Sequence, residues 1–259
     1  MHREFAARFL SALILAVSVT GCASLGSYNA ATQRREFIFI PTDYEVSMGQ
    51  DVHRQIMEQY KPSDNKAQAA RLERIGQKLA QVSDRQDYEY HFFLVDSKDL
   101  NAFTTPGGNI YMHTGLMDRM KSDDEVAAVL AHEIGHCAAR HTVKKFQAAV
   151  GYDLISGIIL NQVTKQEQTR QIAALGTGAV MNLVFSSYSR KDEYEADRLG
   201  LKYMSLAGYD MDGMVKTFEI LNQESKGPEV PLLLRSHPYL EDRIAAVKKE
   251  QERIRTEGL

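Results

Sequence analysis

Two histidines four residues apart, with a glutamate directly after the first, form His132-Glu133-Ile134-Gly135-His136, the residues of this chain best able to do chemistry. On a helix, positions four apart lie on one face, so both imidazoles can meet one metal ion. Glu133 sits about 100° further round, where its carboxylate can reach a metal-bound water without being a ligand itself. Zinc lowers the pKa of such a water, and a carboxylate can take its proton as it attacks a carbonyl. The spacing predicts metal-assisted hydrolysis with Zn2+ as cofactor, one ion per chain.

A catalytic zinc takes a third protein ligand and keeps one position open. A third histidine six residues beyond His136 would fall at Thr142, and His141, roughly 140° round from His136 on a continuing helix, is expected to face elsewhere. Glu193-Tyr194-Glu195-Ala196-Asp197 offers carboxylates instead. Glu193 and Asp197 are four apart and share a face, whereas Glu195 points to nearly the opposite side. Glu193 is therefore the expected ligand. Asp197 is expected to accept a hydrogen bond from the free nitrogen of a ligand histidine and so to set its tautomer.

The elements around these residues are mostly helical. Ser122-Asp123-Asp124-Glu125 reads as a capping box that starts the histidine helix, with acidic groups at its positive end. Helical spacing also covers residues 43–60, 65–82, 189–207 (stopped by Gly208), 211–224 and 239–255. Residues 88–95 alternate and are rich in aromatic residues, which predicts a strand, and Thr105-Pro106-Gly107-Gly108 is a turn before a second strand at residues 109–113. Apolar patches at 151–160 and 172–185 are too short to span a bilayer and are expected to be helices over the reactive region. His53, His91 and Cys137 read as structural.

The N-terminus has a different character. Arg3 and Arg8 precede an apolar run at residues 9–19 that ends in Val19-Thr20-Gly21-Cys22, which looks like a bacterial lipobox. Residues 1–21 are then a lipoprotein signal peptide, residues 22–42 a lipidated N-terminus and tether, and residues 43–255 one folded domain. With Cys22 acylated, Cys137 has no cysteine partner. The net charge of −3 and the absence of basic runs point away from nucleic acid.

AHEIGH with the later EYEAD resembles the gluzincin peptidases that include the HtpX, CAAX prenyl protease, BepA-like and Oma-type enzymes. NAFTTPGGNIYMHTGL before the zinc helix and SHPYLEDRI after the ligand helix match as well, in family order, over residues 43–250. The resemblance implies an α+β, mostly helical minigluzincin core, in which a small sheet with an edge strand is flanked by helices and zinc lies between them. It implies substrate binding at Asn101 and along an edge strand of Asn109, Ile110, Tyr111, Met112 and His113. It also implies that His237 lies near the zinc, stabilising the oxyanion or capping the metal in a closed state, and that Arg243 helps to organise the site. The HtpX and prenyl-protease branches carry transmembrane helices. This chain has no span-length apolar stretch after residue 22, so it is more similar to the periplasmic lipoprotein branch.

These features point to a zinc metalloendopeptidase of unfolded or misassembled envelope proteins. Cys22 would anchor it by lipid, facing the periplasm, and Ala23 in place of an aspartate favours the outer membrane. The alternative is a non-proteolytic chaperone or assembly factor that uses the same groove as a peptide clamp.

Overall fold

The computed structural model describes residues 26–151, 176–227 and 229–259. It begins with a short antiparallel hairpin, β1 (Ser27–Asn29) and β2 (Arg34–Glu36). Helix α1 (Thr42–Gln59) follows, then α2 (Lys66–Ala80), which starts where the Asn65 side chain accepts from the Gln68 N–H. Such a cap contributes about 1 kcal/mol. The apolar stripe of α2, Leu72, Ile75 and Leu79, is buried as its spacing requires.

Strands β3 (His91–Val95), β4 (Ala102–Thr104) and β5 (Asn109–His113) make one sheet in the order β3-β5-β4. β5 pairs parallel with β3 and antiparallel with β4. Alternate residues serve two apolar clusters, as a period of two demands. Phe92, Leu94, Ala102, Ile110 and Met112 join α2 and the later helices, while Val95, Phe103 and Tyr111 join Met48, Val52 and Ile56 of α1. The β4–β5 turn needs two left-handed residues, and Gly107 (φ 77°) and Gly108 (φ 85°) supply them.

After the short α3 (Thr114–Met117), α4 (Asp123–Ala138) carries the paired histidines. The expected capping box is present: the Ser122 hydroxyl accepts from the Glu125 N–H, and the Glu125 carboxylate accepts from the Ser122 N–H. Helices α5 (His141–Val150), α6 (Gly176–Val184), α7 (Arg190–Leu206), α8 (Asp212–Glu224), α9 (Leu232–Ser236) and α10 (Leu240–Glu257) complete the chain. A second capping box at Ser189 and Asp192 starts α7, and Gly208 (φ 72°) lies just beyond its end. α7 packs on α4, and Gly135 permits the approach: a Cβ there would stand 2.7 Å from the Ala196 carbonyl oxygen. No described helix is long and apolar enough to cross a membrane.

Three expectations change. Asn109–His113 is the central strand, hydrogen-bonded on both sides, so it has no free backbone edge to offer a substrate; the edge beside the histidine helix is β4. Residues 23–40 are more than a tether, because residues 27–36 form the hairpin and Ala31 and Ile40 are buried. His141 does not continue α4: Arg140 takes a left-handed conformation (φ 58°), the chain turns, and His141 begins α5. Residues 152–175, with most of the first apolar patch and the start of the second, lie outside the described residues.

Candidate metal centre

α4 presents His132 and His136 on one face, and α7 presents Glu193 and Asp197 on the face opposite them. The His132 and His136 Nε2 atoms are 3.0 Å apart, and Glu193 lies 3.6 Å from the first and 3.4 Å from the second. His237, one residue beyond α9, enters the same space: its Nδ1 is 3.0 Å from Glu193 Oε1 and 3.2 Å from His132 Nε2. One donor atom from each of these four buried residues lies within 4.8 Å of the others, a set able to hold a metal ion. Two imidazoles and a carboxylate suit zinc, and a third imidazole would complete a tetrahedron.

Asp197 stands behind His132. Its Oδ1 accepts from His132 Nδ1 at 2.8 Å, which fixes that ring with Nε2 turned to the metal position. Arg243, from α10, donates to both oxygens of Asp197 at 2.8 and 2.7 Å and stands 2.5 Å from Glu193. One guanidinium therefore braces a proposed ligand and the group that orients another.

The electrostatics follow from burial and these pairings. Burial pushes the Glu193 carboxyl up, but Arg243 and His237 outweigh it and hold it well below its usual range. Burial drives His136 well below its ordinary value, so it stands neutral with a lone pair to give. His237 is raised: burial lowers it, and Glu193 and Glu133 more than offset that. Glu133 is 1% exposed, and among the described residues neither of its carboxylate oxygens has a hydrogen-bond partner. Burial raises its pKa, and His237 Nε2 stands 3.6 Å away. A buried carboxylate without a hydrogen-bond partner is costly to keep ionised, and beside a set able to hold a metal ion its chemistry suits a proton acceptor.

The substrate-strand residues behave differently. Asn101, Asn109, Ile110, Tyr111, Met112 and His113 are all buried, within or beside the central strand. Tyr111 bonds His53, and His113 is wedged against Tyr60 and Phe103, with neither ring nitrogen hydrogen-bonded among the described residues. They support the sheet from inside. Cys137 is also structural in setting: it is buried and 2.7 Å from Thr104 Oγ1, and burial pushes its thiol up to about 12.

Two neighbours of the site were not legible in the sequence. Tyr188, between α6 and α7, lays its ring 4.0 Å from that of His136 and bonds Thr142 through its hydroxyl. His141 meets the far nitrogen of His136 at 2.9 Å. Neither spacing is periodic, because both contacts come from chain turns. Beside Glu133 and His237 opens an apolar recess lined by Val129, Met214, Phe218, Leu221, Leu233 and Leu240.

Comparison with known proteins gives a consistent relationship. The sequence model described as Peptidase family M48 matches residues 66–251. The beta-barrel assembly-enhancing protease of Escherichia coli (strain K12) is 28% identical over 187 residues, covering 70% of this chain and 38% of that protein. The mitochondrial metalloendopeptidase OMA1 of Schizosaccharomyces pombe is 28% identical over 231 residues, covering 86% of this chain and 65% of that protein. The Arabidopsis thaliana protein of that name is 32% identical over 159 residues, 61% of this chain and 31% of that one. The chain thus spans less than two thirds of the length of each of these relatives.

Proposed function

The chain belongs to peptidase family M48, a family of zinc metallopeptidases, and we propose that it is an endopeptidase that cleaves unfolded or misassembled proteins of the bacterial cell envelope. The observation that carries this reading is the convergence of four buried side chains able to hold a metal ion, with the Glu133 carboxylate 3.6 Å from one of them and without a hydrogen-bond partner among the described residues. Zinc, when bound, supplies a Lewis acid that polarises the scissile carbonyl and acidifies water. His132, His136 and Glu193 would hold it, with Asp197 and Arg243 setting the geometry. Glu133 takes a proton from the attacking water and gives it to the leaving amine. His237 would act as a cap: its Nδ1 stands 3.0 Å from Glu193 Oε1 and 3.2 Å from His132 Nε2, among the other three donors, so admitting a substrate would need the loop after α9 to withdraw.

The substrate backbone is proposed to add along β4, which among the described strands pairs with β5 alone; Ala102, Phe103 and Thr104 are buried, so binding requires the segments that cover β4 to move aside. His113 N–H bonds the Asn101 carbonyl and Thr105 N–H the Asn109 carbonyl, so the alternation of an antiparallel pair turns the backbone groups of Ala102 and Thr104 outward. Such an addition accepts only extended chain, which unfolded proteins provide. The apolar recess beside Glu133 would receive an apolar side chain next to the cleaved bond. The relative named for beta-barrel assembly and the lipobox at Cys22 support an envelope substrate and a lipid anchor in the outer membrane, facing the periplasm.

The test is hydrolysis of an unfolded protein by the purified chain. Cleavage should stop with a chelator and return with zinc. His237→Ala should speed cleavage severalfold while loosening the metal, since it removes one of four donors and opens the reactive position. A hundredfold loss instead would make His237 an oxyanion stabiliser. Peptide binding without cleavage, even in His237→Ala, would favour the clamp of a chaperone.

A further inference from the structure

Both metal-facing histidines are held from behind, by different devices. His132 leans on Asp197 and Arg243, as described. His136 leans on a longer chain: its Nδ1 lies 2.9 Å from His141 Nδ1, His141 Nε2 lies 3.2 Å from Glu195 Oε2, and Glu195 Oε1 takes Arg34 Nη2 at 2.5 Å. Resting on the zinc reading of the site, only one arrangement of protons suits this chain. With its Nε2 lone pair turned to the metal, His136 carries its hydrogen on Nδ1 and donates to His141. His141 then carries its own hydrogen on Nε2 and donates to the Glu195 carboxylate, and the Arg34 guanidinium donates to the other oxygen. Every donor meets an acceptor and each group keeps its ordinary charge. Burial pushes the Glu195 carboxyl up, yet His141 and Arg34 hold it below the usual range.

Arg34 belongs to the hairpin that begins a few residues after Cys22. That hairpin is clamped to the two helices that supply the chain. Glu36 pairs with Lys144 of α5 at 2.7 Å, and Arg198 of α7 donates to the Ala31 carbonyl at 3.1 Å. We propose that Arg34, Glu195 and His141 are positioning residues that orient His136, so that metal retention depends on the docking of the N-terminal hairpin. The segment next to the membrane anchor would then tune the hold on the ion without touching the substrate.

Zinc affinity by chelator competition, and the visible spectrum of the cobalt-loaded protein, test this in the full mature chain. His141→Phe keeps the ring but removes the acceptor and should weaken zinc binding by about 10–100-fold. His141→Gln, whose amide oxygen can accept from His136, should recover most of it and restore the parent cobalt spectrum. Arg34→Ala, at a side chain 45% exposed, should keep the fold and weaken zinc severalfold. In a His141→Phe background it should add nothing, because the chain is already cut. Arg35→Ala, on the same hairpin, whose guanidinium donates to the Gly26 carbonyl and not to the chain behind His136, is the control that should leave affinity unchanged. Folded Arg34→Ala and His141→Phe proteins that hold zinc within twofold of the parent would overturn the proposal, as would simple additivity of the two. A parent chain that binds no zinc would instead overturn the metal reading, and this inference with it.

Discussion

Glu133 and Glu193 are both buried beside the same histidines, yet their surroundings give them opposite work. Glu193 is ion-paired with Arg243 and held anionic, while Glu133 has no hydrogen-bond partner among the described residues, faces His237 Nε2 at 3.6 Å, and has its proton affinity raised by burial. Glu133→Gln should keep near-stoichiometric zinc and lose hydrolysis on the order of a hundredfold or more. Glu193→Gln should lose the metal itself on dialysis. Asp197→Asn should fall between, with zinc held about 10–100-fold less tightly. Metal content and turnover, measured on all three, separate the roles; a Glu193→Gln protein that holds zinc like the parent would remove Glu193 from the ligands. A second residue-scale outcome concerns His113. Burial lowers its pKa from 6.5 to about 4, so the unfolded chain takes up the proton first. The stability this carries is fully present above pH 6.5 and is lost as pH falls toward 4. Between pH 7.5 and pH 5 the loss should be about 2 kcal/mol. His113→Phe removes both unpartnered nitrogens and should flatten that part of the profile, as urea unfolding at the two pH values will read.

At the scale of elements, strand order decides where a substrate can bind. A proline in the central strand would break its pairing, so Ile110→Pro should prevent folding. Ala102→Pro removes an N–H that faces away from β5, so the β4–β5 ladder keeps its bonds, although Ala102 is buried and the larger ring should lower the melting temperature. The variant should fold, as thermal melting will check, and cleave an unfolded protein about tenfold more slowly, the worth of one net hydrogen bond. Unchanged turnover would move the substrate off β4. The helices themselves were legible because their ends carry chemistry: Asn65, Ser122 and Ser189 each accept from a first-turn N–H, and each helix starts where that side chain says. β4 was not legible, being three residues long with no repeat of its alternation.

For the whole molecule, the proposed anchor and the site meet through the hairpin. Cys22→Ser should release the protein from membranes or block its maturation. Mass spectrometry that finds an unmodified Cys22 in the mature, membrane-bound protein would refute the lipid anchor. Soluble Cys22→Ser protein should keep its zinc, since residues 27–36 still dock on α5 and α7 through Lys144 and Arg198.

His132, Glu133, His136, Glu193 and Asp197 could be placed from the chain alone because each lies on a helix, where spacing sets direction: i and i+4 share a face, and i+1 and i+2 do not. Helical geometry is local, and so is the information that specifies it. Which strand takes the centre of the sheet, that His237 enters the space between His132 and Glu193, and that His141 backs His136 are matters of packing between separate elements. His141 shows the limit most clearly. A continuing helix would turn it away from His136, and the single left-handed residue Arg140, with no glycine or asparagine to announce it, swings it back to 2.9 Å. The Glu195 carboxylate was expected to point to the side opposite Glu193, but the group it meets there, and through it the N-terminal hairpin, arrives only when three separate elements close around one histidine.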